Sequence, residues 1–264
     1  MSGNNDIGID WNDVSGVMLD MDGTVYKGSV AIPGAKEFVG RLKERKIPFV
    51  FLTNNSSSGR VHYLNKLLNM GFDVNIDNIL TSTTASISFL KKHRSGKKVY
   101  PVGTPNFIGE LTEAGIPLTD RKPDVVLLSF DTTITYEKIN NAYNFLKHGS
   151  ELIATHPDDL CPTADGYDID IGPFIRMFEY AASVKAKIIG KPNAEMARMA
   201  AETMNVSYEN MVMIGDRIYT DMRMAADAGI RSVMVLSGEA KRGDPERAGI
   251  RPTVTVDSVA DLLR

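Results

Sequence analysis

The chain has 264 residues, 43% of them hydrophobic and 24% charged, enough for one large domain or two smaller ones and too apolar for global disorder. Its formal net charge of −3 argues against a general nucleic-acid binder, and its single cysteine, Cys161, rules out an internal disulfide, in keeping with a reducing compartment. No apolar run approaches the ~20 residues of a membrane-spanning helix, and residues 1–13 carry no basic-then-apolar signal pattern, so the expectation is a soluble cytoplasmic protein with no membrane or nucleic-acid partner.

Residues 14–20 predict the first strand, an apolar run that ends in Asp20-Met21-Asp22-Gly23-Thr24. Pro33-Gly34 precedes a helical pattern with Ala35, Phe38, Val39 and Leu42 on one face. A second strand over 48–52 runs into Thr53-Asn54-Asn55-Ser56-Ser57-Ser58-Gly59. The helix after it is expected to turn Val61, Leu64, Leu67 and Leu68 inward and to stop at Gly71. Ile79-Leu80 predicts a short third strand. Strands and helices alternating in this way make a parallel sheet with right-handed crossovers.

From about residue 83 the alternation starts again, with a helix over 85–93, strand 98–102, helix 107–114 and strand 125–129. An amphipathic helix over 136–147, with Ile139, Tyr143 and Leu146 on one side, leads to strand 151–154. After Lys185 the first unit resumes. Asn193 can cap a helix carrying Met196, Met199, Ala200 and Thr203, whose methionines at helical spacing read as core packing. Strands follow over 211–215, 232–236 and 253–256. The expected architecture is α/β, a doubly wound parallel sheet formed by residues 1–83 and 186–264 with an α/β domain, residues 84–185, inserted between them.

Four polar sites fall at strand ends or just after them: Asp20 with Asp22, Thr53-Asn54-Asn55, Lys191, and Gly215-Asp216 with Asp221. Strand ends far apart in sequence converge on one crevice in a doubly wound sheet. Carboxylates held together repel, and Mg2+, which favours a few carboxylates plus phosphate oxygens, offsets that charge. In such a set Asp20 can attack phosphorus, and Asp22 can protonate the leaving alcohol and then deprotonate water. Asp216 adds a metal carboxylate, and Asp221 can orient metal-bound waters. Lys191 can neutralise Asp20 and the transferring phosphoryl group, while Thr53 and nearby backbone N–H groups can bind phosphate oxygens. Each residue alone has a plainer reading: a turn for Thr53-Asn54-Asn55, a helix cap for Asp221, a surface lysine for Lys191. Lys91-Lys92-His93-Arg94 reads as a solvated helix end, and the four histidines have no zinc-ligand spacing.

The chain resembles the haloacid dehalogenase superfamily of phosphatases, in particular its NagD-like class, whose cap lies between the second and third motifs. Asp-Met-Asp-Gly-Thr-Val-Tyr (20–26) is similar to the first motif, Thr53-Asn54-Asn55-Ser56 to the second, Gly190-Lys191-Pro192-Asn193 to the third, and Gly215-Asp216-Arg217 through Thr220-Asp221 to the fourth. Ala154-Thr155-His156-Pro157-Asp158 looks like the cap segment of that class, with His156 where many members have Asn. The resemblance covers nearly the whole chain. It implies a Rossmann-like core with an inserted cap and a Mg2+-dependent phosphatase acting on small phosphate monoesters. The ion would be held by Asp20, the Asp22 backbone carbonyl and Asp216, with Asp221 behind them. Thr53, Asn54, Asn55, His156, Asp158 and Asp170 are expected to bind phosphate or substrate, and copies are expected to associate through the cap.

Within the cap, Asp158, Asp159, Asp165, Asp168 and Asp170 form an acidic segment, read here as an irregular loop, either solvated or facing the leaving group. Extended backbone would turn Asp168 and Asp170 to the same side. Rival readings are a phosphotransferase or phosphomutase on the same fold, a shorter phospho-aspartate receiver, and a catalytically silent binding protein. Asp22 argues against the last, because a binding relic has no need of a general acid.

Overall fold

A computed structural model describes residues 8–163 and 166–263. Most of residues 1–13 and the acidic Asp165 therefore lie outside the described residues. The chain forms two compact units, one from residues 1–52, 63–80 and 192–264, the other from 53–62 and 81–191.

The first unit is built on a six-stranded sheet in the order Val254–Val256, Arg231–Val235, Met211–Gly215, Gly16–Asp20, Phe49–Thr53, Ile79–Thr81. Gly16–Asp20 runs parallel to both neighbours, with Leu19 beside Ile214 on one side and Phe51 on the other. All residues of Gly16–Asp20, Phe49–Thr53 and Met211–Gly215 are buried. Strands covered on both faces read as continuous apolar runs, which is why these three were visible in the sequence. From Gly16–Asp20 the chain order proceeds outward in both directions, so a topological switch point lies between it and Met211–Gly215.

Helix Ala35–Glu44 buries Ala35, Phe38, Val39 and Leu42, the expected face. It starts where Gly34 adopts φ +83°, and a Cβ at Gly34 would come 2.5 Å from the Ala260 side chain. Helix Arg60–Asn69 differs from expectation. It buries Tyr63 and Leu67, whereas Val61 and Leu68 are 64% and 45% exposed. At 3.6 residues per turn Val61 and Leu68 lie roughly 100–160° around the helix from Tyr63 and Leu67. The aromatic residue sets the inward face. Gly71, φ +84°, follows the helix end as expected.

The second unit carries a parallel four-stranded sheet, Lys187–Ile188, Glu151–Ala154, Val125–Leu128, Val99–Val102, with helices Ser82–His93, Pro105–Glu113, Tyr136–Lys147 and Ile171–Ala182. Leu146, Ala142, Ile175, Phe178 and Ala182 join Val126, Leu128 and Leu152 in its core. The basic run ends helix Ser82–His93, and Arg94 pairs with Glu151 at 2.6 Å.

Among its described residues, the stretch read as an irregular acidic loop carries regular structure. Leu160–Thr163 and Gly166–Ile169 form an antiparallel hairpin, and Asp170 caps helix Ile171–Ala182. Asp168 and Asp170 do not face the same way: Asp168 is exposed on the hairpin, and Asp170 is 3% exposed at the helix start. The hairpin has no fully buried residue, so alternation had no core face to register. The helix was hidden by Gly172-Pro173, a turn-like pair that a first helical turn tolerates because its N–H groups lack intrahelical partners.

Candidate active site

The parallel register that sets Leu19 beside Ile214 brings Asp20 and Asp216 to adjacent strand ends at the switch point. Asp221 reaches the same place from a π-helical turn, Ile218–Met222, in which Asp221 and Met222 both donate their N–H to the Arg217 carbonyl, at 3.1 and 3.2 Å. The Asp221 carboxylate accepts from Arg217 N at 3.1 Å, folding the side chain back over the turn. Such wide turns recur at functional sites. Asp20, Asp216 and Asp221 are 8%, 2% and 0% exposed, and each offers an oxygen such that all lie within 4.8 Å of one another. This all-carboxylate donor set fits a hard divalent cation.

The approach of these acids depends on glycines. A Cβ at Gly23 would fall 2.3 Å from Asp216 Oδ2 and one at Gly238 1.9 Å from it, while a Cβ at Gly215 would meet the Asp221 side chain at 2.5 Å. Gly23 also has φ +86°, which L side chains rarely adopt. Asp216 Oδ2 accepts from Glu239 N at 2.7 Å, its Oδ1 from Thr24 Oγ1 at 3.4 Å, and Ser237 Oγ donates to the Gly23 carbonyl at 2.7 Å. The loop 237–239 thus fastens both the aspartate and the glycine turn. Sequence reading did not single it out; its signal was a Ser-Gly pair directly after a buried strand end.

Burial pushes the Asp216 carboxyl well above the usual range, and the charges of Asp20 and Asp221 push it further, against a smaller opposing pull from the Glu239 N–H and Arg217. Asp22 is also raised. Its residue surface is open on one side, but loss of solvent around the carboxyl is the largest cause, opposed by Lys66 and reinforced by Asp20. Lys66, equally unanticipated, is lowered by burial and pulled back by Asp22; its Nζ lies 3.9 Å from the centre of the buried Tyr26 ring. A carboxyl held up in this way is suited to carry a proton before giving it away.

The remaining expected residues gather within the second unit. Thr53 and Asn54 are 9% and 6% exposed, and Lys191 is 2% exposed. Thr53 Oγ1 accepts from Asn55 N at 3.1 Å, and Asn55 Oδ1 accepts from Ser57 N and Oγ at 3.0 and 2.8 Å, fixing the turn. Asn54 bonds both sides of the Lys191 peptide and also Asp158. His156, fully buried, has Nδ1 3.8 Å from Asp158 Oδ2 and Nε2 3.7 Å from Asp170 Oδ1. Its Nε2 lies 3.3 Å from Ser56 Oγ, which also accepts from Phe130 N at 2.9 Å. The two ring nitrogens face different acids, as in an imidazole bridging two carboxylates. His156 is thus enclosed between two acids with its Nδ1 making no hydrogen bond among the described residues, and Asp170 accepts from Ile171 N at 2.7 Å.

Residues 17–117 match the haloacid dehalogenase-like hydrolase family, and residues 188–262 match a HAD-hydrolase-like family. The chain is 33% identical to the sugar-phosphatase AraL of Bacillus subtilis over 95% of its own length and 92% of the relative's. The chain belongs to the haloacid dehalogenase-like hydrolases. It is also 31% identical to the ribonucleotide monophosphatase NagD of Escherichia coli, covering 94% of this chain and 98% of NagD. The crystal structure of a 4-nitrophenylphosphatase from Thermotoga maritima superposes with a TM-score of 0.91 at 37% identity, over 95% of this chain and 97% of that one. Within the family the chain is thus a NagD-like phosphatase, and its α/β architecture is the one the motif resemblance implied.

Proposed function

We propose that this haloacid dehalogenase-type phosphatase depends on Mg2+ and hydrolyses small phosphate monoesters, sugar phosphates foremost, through an aspartyl-phosphate on Asp20. The observation that supports the reading is the meeting of the buried carboxylates of Asp20 and Asp216, at adjacent strand ends, with that of Asp221 from the turn that follows. Asp20, the Asp22 carbonyl and Asp216 would hold the ion, with Asp221 orienting its waters. Mg2+ supplies neutralisation of the phosphate oxygens when bound.

An Asp20 carboxylate oxygen attacks phosphorus, and the bond from phosphorus to the alcohol oxygen breaks. Asp22, its carboxyl raised toward the protonated form, gives its proton to the departing oxygen. Asp22, now a carboxylate, takes a proton from water, whose oxygen attacks the phosphorus and releases phosphate and Asp20. The Thr53 hydroxyl and the backbone of the Asn54-Asn55 turn are assigned to the phosphate oxygens and Lys191 to the transferring charge. Residues 84–185 are assigned to selecting the leaving group. The preference for sugar phosphates draws on AraL, and NagD keeps nucleotide monophosphates in the comparison. Among the described residues no helix is long and apolar enough to cross a membrane, and a cytoplasmic setting belongs to this proposal.

The test is phosphate release from 4-nitrophenyl phosphate and a panel of sugar, triose and nucleotide monophosphates, with Mg2+ and with excess chelator. Activity that vanishes on chelation and returns with Mg2+ is expected. Full activity in excess chelator overturns the metal role, and no release from any ester overturns the substrate class.

A further inference from the structure

The Asn54 side chain makes three hydrogen bonds with its one amide. Its Oδ1 accepts from Lys191 N at 2.9 Å, and its Nδ2 donates to the Lys191 carbonyl at 2.9 Å and to Asp158 Oδ1 at 3.0 Å. The first two bonds grip both polar groups of the Lys191 backbone in the manner of a strand partner. The amide can do this in one orientation only. Turned over, it would set its NH2 against the Lys191 N–H and its oxygen against a carbonyl and a carboxylate. Asp158, which as a carboxylate only accepts, favours that same orientation and does so independently of Lys191. A charge-assisted bond of this kind is about twice as strong as a neutral one.

The surroundings hold both ends of this link. Gly190 leaves room for the amide, since a Cβ there would come 2.7 Å from Asn54 Oδ1 and 2.6 Å from the Thr155 carbonyl. Asp158 is backed by His156, whose buried ring lies between Asp158 and Asp170, and Asp170 caps helix Ile171–Ala182 by accepting from Ile171 N at 2.7 Å. Ser56 ties the same ring to Thr155 at 3.0 Å. Asn54 directly follows strand Phe49–Thr53, and Asp170 directly precedes helix Ile171–Ala182, so the chain of contacts is held at both ends by regular structure.

We propose that Asp158 is a positioning residue for Lys191, acting through the Asn54 amide to fix the backbone from which the lysine side chain projects. The inference rests on the reading of Lys191 as the group that counters the transferring phosphoryl charge. It gives Asp158 a different task from selecting the leaving group. Loss of Asp158 should slow every ester by the same factor, because every ester presents the same phosphoryl group.

Steady-state kinetics of Asp158→Ala, Asp158→Asn, Lys191→Ala and the double variant Asp158→Ala/Lys191→Ala test this on 4-nitrophenyl phosphate, a sugar phosphate and a nucleotide monophosphate. Asp158→Ala is expected to lower kcat about ten- to a hundredfold, the scale of one lost bond to a charged group, with KM little changed. Asp158→Asn keeps an accepting oxygen and is expected to recover most of that loss. The double variant should be no slower than Lys191→Ala, because the aspartate acts through the lysine. If Asp158→Ala does not fold, Asp158→Glu displaces the carboxylate by one methylene and should show the same uniform slowing. Slowing that differs between esters, or effects of Asp158 and Lys191 that multiply independently, overturns the positioning role. Full kcat in Lys191→Ala instead removes the reading of Lys191, and the proposal falls with it, by a result separate from the other two.

Discussion

The two units each bury a cluster of polar side chains, and the clusters solve opposite problems. In the first unit Asp20, Asp216 and Asp221 bring like charges within 4.8 Å, and Asp216 responds with a strongly raised carboxyl. In the second unit Asp158 and Asp170 are separated by the His156 ring, with Asn54 and the Ile171 N–H occupying carboxylate oxygens. One cluster gathers like charges; the other sets a histidine ring, an amide and a backbone N–H against its acids. Converging buried like charges that shift a carboxyl point to a site of chemistry, and buried polar groups set against opposite partners hold shape. The second unit thereby supports function through order, and the first through stored electrostatic repulsion.

The largest effect expected on this contrast is at Asp20. Asp20→Asn removes the nucleophile while keeping the size of the side chain, and turnover should drop below detection on every ester. Asp22→Asn should still let a good leaving group such as 4-nitrophenolate depart, and the phosphoenzyme should then accumulate because nothing activates the water. Rapid quench with mass analysis of the labelled peptide checks both; a phosphoryl group found on a residue other than Asp20 removes the assignment.

How far the sequence carried this contrast follows from the same physics. Asp20 and Asp216 were legible because each ends an apolar run buried on both faces, and a strand end is where a parallel sheet exposes its ligands. The loop 237–239 and Lys66 were not, since their roles come from close approach: Gly238 makes room for Asp216, and Lys66 lies over Tyr26. In the second unit three of the four parallel strands were legible, Val125–Leu128 for the same reason as in the first, and the two-residue strand Lys187–Ile188, with neither residue buried, was not. The hairpin and helix Ile171–Ala182 were not, because one buries no face fully and the other opens with Gly172-Pro173. His156 was singled out by its motif, but only the fold shows its ring between two acids.

The next effect in size concerns stability, pH and Mg2+. Asp216 has a native carboxyl raised above its unfolded value of 3.8. Between those two values the native state binds more protons than the unfolded one, so stability falls as pH rises through the window. Its favourable contribution is complete below the unfolded value and is lost above the native one. Metal-free protein should therefore gain stability from Asp216→Asn at neutral pH, with little added by Mg2+. Wild type should gain from Mg2+, by about 2.7 kcal/mol at a hundred times the dissociation constant, and less as acid protonates Asp216. His156→Asn should behave in the opposite way, losing about 1–3 kcal/mol as the ring between Asp158 and Asp170 is replaced by a smaller side chain while keeping the full Mg2+ gain. Thermal melts across pH with and without Mg2+ separate the two. A metal-free Asp216→Asn that melts lower than wild type would mean that the first cluster is not under electrostatic strain.

The smallest effect is expected at Asp168, and it decides how far the acidic segment takes part in selection. Asp168 lies opposite Cys161 in the exposed hairpin, whereas Asp170, two residues on, is buried and caps a helix. An exposed strand carboxylate makes no buried bond to lose, so Asp168→Ala should change stability by no more than about 0.5 kcal/mol. Asp170→Ala should cost about 1 kcal/mol or more through the lost cap. Both can be read from the same denaturation series. The kinetic arm compares kcat/KM across the ester panel with that for acetyl phosphate, whose leaving group is too small to fill a selective loop. If Asp168→Ala leaves the order of preference unchanged, its charge is solvated and the segment's contribution is structural, through Asp158 and Asp170. If it weakens hydroxyl-rich esters and spares acetyl phosphate, the hairpin reads the leaving group, and the second unit carries a selective surface beside its buried polar cluster.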